Sequence, residues 1–448
     1  MVENLIIFGT LVSSTGLNSL EVVPGYLIIE DGKIIRKGTS REFVKLEAQD
    51  AFRGFHIIKL QSDQFLMPGF VDCHTHGPQF PNLGLGLDRP LLEWLEKYTF
   101  PLESQFAATE YASNVYSQVV RRLLTNGTTT ACYFGSLDLG GTMELVKSAV
   151  NLRQRALIGK VSMNMKNQSG YYNDTEREVD DSTKFVEKVL AFDNDLISPV
   201  ISPRFALSCD NELMKKLAEL AAKYNCHIQS HISENVEEVN EVLRQNPGCV
   251  NYAEVYDKCA ILTNKCIMAH AVHLTDAEID LLKIREVGIA HCPASNTRLR
   301  SGLCPVRKLI NHGLRVGLGT DVSGGDSASI LDAIRRTMDV STHLELQHGL
   351  HRAINWKEAF YLGTLGGAKA LSLDHKIGSL EVGKEFDALV INVFATGGPI
   401  DNHPNTLEAT SNEYNEGLVQ RFLYTGDDRN ITQVYVKGHL VKNGWTVV

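Results

Sequence analysis

The sequence predicts an α/β protein: a (β/α)8 TIM-type barrel over residues 66–375, with a small β-sandwich domain built from both termini, residues 1–65 and 376–448. Three observations predict it. Strand-like runs alternate with helical patterns through the middle of the chain, eight strands in all. Both ends are rich in short strands and turn signals. The length, 448 residues, suits one large barrel with an appendage.

Each element follows from local pattern. Tyr26–Glu30 and Lys33–Ile35 flank Asp31-Gly32, a pair that supplies the positive φ of a type I′ hairpin turn. Barrel strands are expected at Phe65–Cys73, Thr128–Phe134, Ala156–Met165, Val200–Ser208, His227–His231, Cys266–His273, Val287–Cys292 and Val316–Asp321. Apolar residues at three-and-four spacing predict helices between them, among them Ala108–Asn126, Ser182–Phe192, Asn211–Tyr224, Asn235–Arg244 and Ala277–Lys283. Phe386–Asn392, Gln433–Lys442 and Trp445–Val448 read as the closing strands. There is no internal repeat and no low-complexity segment.

Bulk properties narrow the class. A hydrophobic fraction of 43% and a charged fraction of 22% are those of an ordinary globular chain. The net charge of −9 leaves no basic stripe to neutralise phosphates, which argues against nucleic acid and against an anionic membrane surface. No run reaches the ~18 apolar residues of a membrane span. The nine cysteines are odd in number and form no Cys-x-x-Cys, as expected in a reducing compartment; a cytoplasmic protein is the expectation.

The chemistry gathers at strand ends. Within Pro68–His76 a period of two puts His74 and His76 on one side of a strand, placed to grip one ion. Alone the pair is weak, since the chain has 15 histidines. Other strands end compatibly: the fourth near Arg204-Phe205, the fifth in His231 with Glu234 three residues on, the sixth in His270, the eighth in Asp321. Each has a bland reading: Asp321 as a helix cap, His270 as a satisfied core histidine. His227, lying deeper, is read as structural. For His273 and His291 the structural reading is favoured, and Asp72 is read as a support for the ligands. Taken together, the set converges on the C-terminal mouth of a barrel.

Three histidines and a carboxylate suit Zn²⁺ with room for a water. Bound there, zinc lowers the pKa of water to ~7. Asp321 is placed to accept its proton, and Glu234 to shuttle one beside the ion. No lysine ends the fourth strand, so one zinc per subunit is expected rather than a bridged pair.

At these residues the chain resembles the amidohydrolase superfamily of metal-dependent hydrolases, and more narrowly its guanine-deaminating branch. The resemblance lies in Pro68–His76, Gly77-Pro78-Gln79, Leu91–Pro101, Asn126–Phe134, His227–Glu234, Gly317–Asp321 and Asp427–Asn430. It implies zinc held by His74, His76, His231 and Asp321, and a purine held by Gln79, Arg204 and Phe205 beside His76. It also implies catalytic roles for Glu234, Asp321 and His270, with His270 holding the attacking water. The implied reaction is hydrolysis at C2 of guanine, giving xanthine and ammonia, in a homodimer. Competing expectations are another aminohydrolase or chlorohydrolase of this superfamily, acting on an 8-oxopurine such as 8-oxoguanine, a pterin or a triazine, and a non-catalytic scaffold on the same fold. The tail Thr446–Val448 fits a PDZ-type ligand, although a last strand of the β-domain accounts for the same residues and is preferred.

Overall fold

The computed structural model describes residues 4–49, 52–349, 351–403, 411–444 and 446–448. Two sheets organise it. One holds eight parallel strands in chain order: β1 Phe70–His76, β2 Thr128–Phe134, β3 Arg155–Gly159, β4 Ile197–Pro203, β5 His227–Ile232, β6 Cys266–His270, β7 Gly288–His291 and β8 Arg315–Leu318. A short strand, Val161–Ser162, pairs beside β4. Helices alternate with the strands as the periodicity predicts; Thr109–Thr125, Thr175–Leu190, Asn211–Tyr224, Val236–Gln245 and Asp276–Ile284 occupy the expected stretches.

Closure of the barrel rests on a few bonds between β1 and the end of β8. The Asp321 amide donates to the His74 carbonyl at 2.9 Å, and the His76 amide to the Val322 carbonyl at 3.1 Å. Buried Asp72 accepts from the Thr320 hydroxyl at 2.5 Å and from the Thr320 amide at 3.1 Å. Glycines make the approach feasible. A Cβ at Gly317 would lie 2.5 Å from Cys73 Sγ, and one at Gly319 would lie 2.9 Å from His74 Cβ. The barrel interior is filled by small side chains, including Val71, Cys73, Cys132, Ala269, Ala290 and Cys292, and is plugged by Ala368, Leu371 and Ile377. The cysteines here act as small hydrophobes.

The second sheet draws on both ends of the chain. Leu5–Gly16, Ser19–Glu30 and Lys33–Thr39 form an antiparallel ribbon with the expected hairpin at Asp31-Gly32, whose φ values are 48° and 76°. Ala388–Asn392, Ile431–Val436, His439–Asn443 and Thr446–Val447 continue it. The sheet curls over a core that unites its two halves, with Leu5, Ile7 and Leu27 packed with Phe386, Val390 and Tyr435.

Several expected strands change length. Phe65–Cys73 is two strands, because Gln64–Pro68 pairs with Ala388–Asn392 in the terminal sheet and the chain enters the barrel only after Gly69. Proline supplies no amide hydrogen to continue a ladder. Ala156–Met165 breaks at Lys160, which turns to the buried carboxylate of Glu178 at 2.8 Å. Cys266–His273 stops at His270, where φ turns positive at 75°. Trp445 lies outside the described residues. Thr446–Val447 pairs with the neighbouring strand, and the Val448 amide donates to the Val441 carbonyl at 2.9 Å, so the tail's backbone is engaged at the sheet edge. Among the described residues no helix is long and apolar enough to cross a membrane.

A buried charge cluster fastens the barrel to the terminal sheet. Arg155, on β3, donates to Asp387 at 3.0 and 3.1 Å and to Glu385 at 2.6 Å. Removing the arginine leaves two buried carboxylates without their cation. Arg155→Ala should therefore cost about 3–5 kcal/mol, read as a lowered denaturation midpoint; a midpoint unchanged from wild type would show that the cluster does not fasten the two sheets.

Candidate active site

The residues singled out at strand ends meet at one cavity in the C-terminal mouth of the barrel. His76, Gln79, Arg204, Phe205, His231, Glu234, His270 and Asp321 line it, together with Leu91, Trp94, Leu95 and Leu299. His74 lies just beneath, 1% exposed. His227, by contrast, begins β5 and hydrogen-bonds the Leu371 carbonyl at 3.0 Å, at the opposite end of the barrel. His273 bonds the Ser301 carbonyl at 2.6 Å.

Backbone geometry aims the donors. β1 carries two register irregularities, so His74 and His76 do not stand flatly side by side; their rings meet edge to face, centroids 4.9 Å apart. His270 and Asp321 are presented from left-handed backbone, with φ of 75° and 46°. Such conformations cost about 1–3 kcal/mol each and persist where surrounding structure enforces them. Here the β1–β8 seam holds Asp321, and a hydrogen bond from His270 Nδ1 to Asn296 Oδ1, 2.8 Å long, holds His270. His231 Nδ1 donates to the Arg204 carbonyl at 2.5 Å. In both rings Nε2 is then the lone-pair nitrogen.

These lone pairs converge. His76 Nε2 and His231 Nε2 are 3.1 Å apart. Asp321 Oδ1 lies 3.2 Å from His74 Nε2 and 3.4 Å from His76 Nε2. His74 Nε2 is buried and makes no hydrogen bond among the described residues. Two ligands about 2.05 Å from a tetrahedral ion stand about 3.3 Å apart, so these three spacings match donors that share one cation. Burial and the neighbouring histidines hold His76 and His231 well below the usual imidazole range, which keeps them neutral. Burial opposes the Asp321 charge, but the surrounding histidines outweigh it and keep the carboxyl ionised. Neutral imidazoles and a carboxylate are the protonation states that bind metal. The donor atoms group as overlapping triads, His74–His76–Asp321, His74–His231–His270 and His270–Cys292–Asp321. Burial keeps the Cys292 thiol protonated, which disfavours it as a ligand.

Beside this cluster sits an acid. Burial first, then the Asp321 charge, push the Glu234 carboxyl up to about 8. It accepts from Ser301 Oγ at 3.1 Å, and its other oxygen lies 3.3 Å from His270 Nε2. Across the cavity Arg204 is forked on Glu103, with NH1 to Oε2 at 2.7 Å and NH2 to Oε1 at 3.0 Å. Gln79 Nε2 donates to the same Glu103 Oε1 at 2.9 Å. Sequence reasoning missed Glu103, Asn296 and Ser301. Nothing in Phe100-Pro-Leu-Glu103 marks a site, and Asn296, on the short helix Pro293–Arg298, and Ser301, on the loop after it, fold back in a way that cannot be read from spacing.

The protein should take up one divalent ion per chain. His231→Ala should lower that content after dialysis, measured by atomic emission, with the circular dichroism spectrum unchanged; an unaltered metal content would place the donors elsewhere.

Comparison with known proteins agrees with this geometry. The sequence pattern of the Amidohydrolase family matches residues 65–441. The guanine deaminase of Rattus norvegicus is 44% identical over 440 residues, which cover 98% of this chain and 96% of the relative. That of Homo sapiens is 43% identical over 436 residues, covering 97% and 95%. Among solved structures, the guanine deaminase from C. acetobutylicum with bound guanine in the active site has a TM-score of 0.89 at 34% identity, covering 97% of this chain and 99% of that one.

Proposed function

The chain belongs to the amidohydrolase family, and from that premise we propose that it is a zinc-dependent enzyme that hydrolyses guanine to xanthine and ammonia. One observation carries the reading. A cluster of metal donors and a buried Arg204–Gln79 wall face each other across one cavity, which is roofed by Leu91, Trp94 and Leu95. The near full-length relatives named as guanine deaminases support the substrate. The all-free cysteines support a reducing, cytoplasmic setting. A homodimer is part of the same proposal.

His74, His76, His231 and Asp321 would hold the ion, with His270 beside them. Bound there, zinc would lower the pKa of a water to ~7 and so supply a nucleophile at neutral pH. The chain's own groups do the rest. Phe205 and the Leu95–Trp94 side enclose the ring, while Arg204 and Gln79 address its polar edge, the guanidinium facing the carbonyl oxygen. Glu234, protonated at neutral pH, gives its proton to N3 and draws electron density from C2. Water adds to C2, and ionised Asp321 takes the proton released. The C2–N bond then breaks. Asp321 returns its proton to the departing amine, which leaves as ammonia, and Glu234 recovers a proton from the new C2 hydroxyl as the carbonyl of xanthine forms. His270, between the two carboxyls, orients the water. Adenine lacks the carbonyl that Arg204 would meet, and unpaired buried polar groups make such rejection strong.

Purified enzyme supplied with zinc should convert guanine to xanthine, followed by ultraviolet absorbance and ammonia release. Turnover of a pterin or triazine with none of guanine would overturn the reading. Glu234→Gln should keep its zinc and lose about 10²–10⁴-fold in kcat; full activity in that variant would remove Glu234 from the proton path.

A further inference from the structure

Glu103 is an acid with no part in the reaction above, yet it is the hub of the recognition wall. Its side chain is fully buried on the short helix Phe100–Glu103. Its two oxygens accept from both terminal nitrogens of Arg204, and one of them also accepts from Gln79 Nε2. The far end of the same Gln79 amide accepts from the Ser323 amide at 3.2 Å, which settles the amide's orientation. The Phe100 ring lies 5.1 Å from the guanidinium carbon and confines it further.

The three polar groups come from separate parts of the chain. Gln79 follows β1, Arg204 follows β4, and Glu103 lies on the segment that also brings Leu91, Trp94 and Leu95 over the cavity. An arginine on a flexible stem can point many ways; a forked carboxylate leaves one. Two of its five N–H groups are used on Glu103, and NH1 also approaches Met163 Sδ at 4.0 Å. Glu103 also balances a buried positive charge: burial works against the Arg204 cation, and the adjacent carboxylate more than restores it.

We propose that Glu103 is the positioning residue for substrate specificity: through Arg204 and Gln79 it sets the site to a purine bearing a ring carbonyl. This rests on the guanine reading. It assigns to Glu103 no contact with the reacting atoms, so its signature is discrimination between substrates rather than loss of chemistry.

The test compares guanine with 2-aminopurine, which keeps the reacting C2 amine and lacks the carbonyl. Wild type, Glu103→Gln and Glu103→Asp are assayed on both, with zinc content and melting temperature measured alongside. Glu103→Gln should lower kcat/KM for guanine by roughly 10²-fold, as expected when a positioning group is displaced. Most of that loss should appear in KM, and the 2-aminopurine value should move much less. The ratio between the substrates therefore collapses while zinc content holds. Glu103→Asp, which keeps the charge but withdraws it, should shift the same ratio in the same direction by less, and it decides the matter if Glu103→Gln does not fold. Equal losses on both substrates, or a ratio unchanged in the folded variants, would overturn the assignment while leaving the guanine reading intact. A wild-type enzyme inactive on guanine would overturn both.

Discussion

The seam between the first and last barrel strands is the constraint on which the site depends. A closed barrel brings β8 against β1, and the residues at that contact are His74, His76 and Asp321. The bonds that close it run from the Asp321 amide to the His74 carbonyl and from the His76 amide to the Val322 carbonyl, so they engage His74, His76 and Asp321 themselves. Asp72 adds a side-chain clamp on Thr320, and Gly317 and Gly319 let the strands approach. Closure and donor convergence are therefore one structural event. The strained backbone at Asp321 is the local cost of aiming its carboxylate inward while its amide serves the seam.

Around that seam the buried ionisable groups are sorted by environment. Burial neutralises His76 and His231 and raises Glu234, while the ring of histidines keeps Asp321 ionised. The two carboxyls on either side of His270, whose Nε2 lies 3.3 Å from Glu234 and 3.8 Å from Asp321, are thus pushed in opposite directions, Glu234 towards a proton donor and Asp321 towards an acceptor. That division is what acid–base chemistry at neutral pH requires. The nearby Arg204 follows a different rule: it stays charged because Glu103 shares its burial.

Much of this was legible in the sequence, and the gaps have physical causes. Strand count, helix spacing and the Asp-Gly hairpin follow from local periodicity, so they were readable. The ends of strands were not, because tertiary demands fix them: Pro68 and Gly69 pass the chain between sheets, Lys160 turns aside to Glu178, and His270 leaves the strand by reversing φ. The strand-end residues His74, His76, His231, His270 and Asp321 could be named because barrel topology gathers strand ends in one place. Glu103, Asn296 and Ser301 could not. Each reaches the cavity through a loop or short helix, and no period relates such a residue to its partner. The parity argument for His74 and His76 assumed a simpler strand than the one that exists, since β1 is irregular at two points.

The site divides into two halves with different origins. The proposed metal donors come from the rigid barrel, at the ends of β1 and β5 and just after β8, with His270 at the end of β6 beside them. The recognition wall comes largely from segments beyond the strands, with Gln79 in the turn after β1, Arg204 just past β4 and Glu103 on the covering segment. Trp94, on that segment, donates its ring N–H to the Leu85 carbonyl at 3.1 Å, and Asn82 donates to the Tyr98 carbonyl at 2.9 Å, so the cover is stitched to the loop that follows the first metal strand. Glu103 therefore binds recognition to enclosure. With the cover in place Arg204 is paired, oriented and shielded from water. Without it the same arginine would be a solvated, freely rotating cation. On the reading proposed above, altering the cover would change which ring is read while leaving the donors where the seam fixes them.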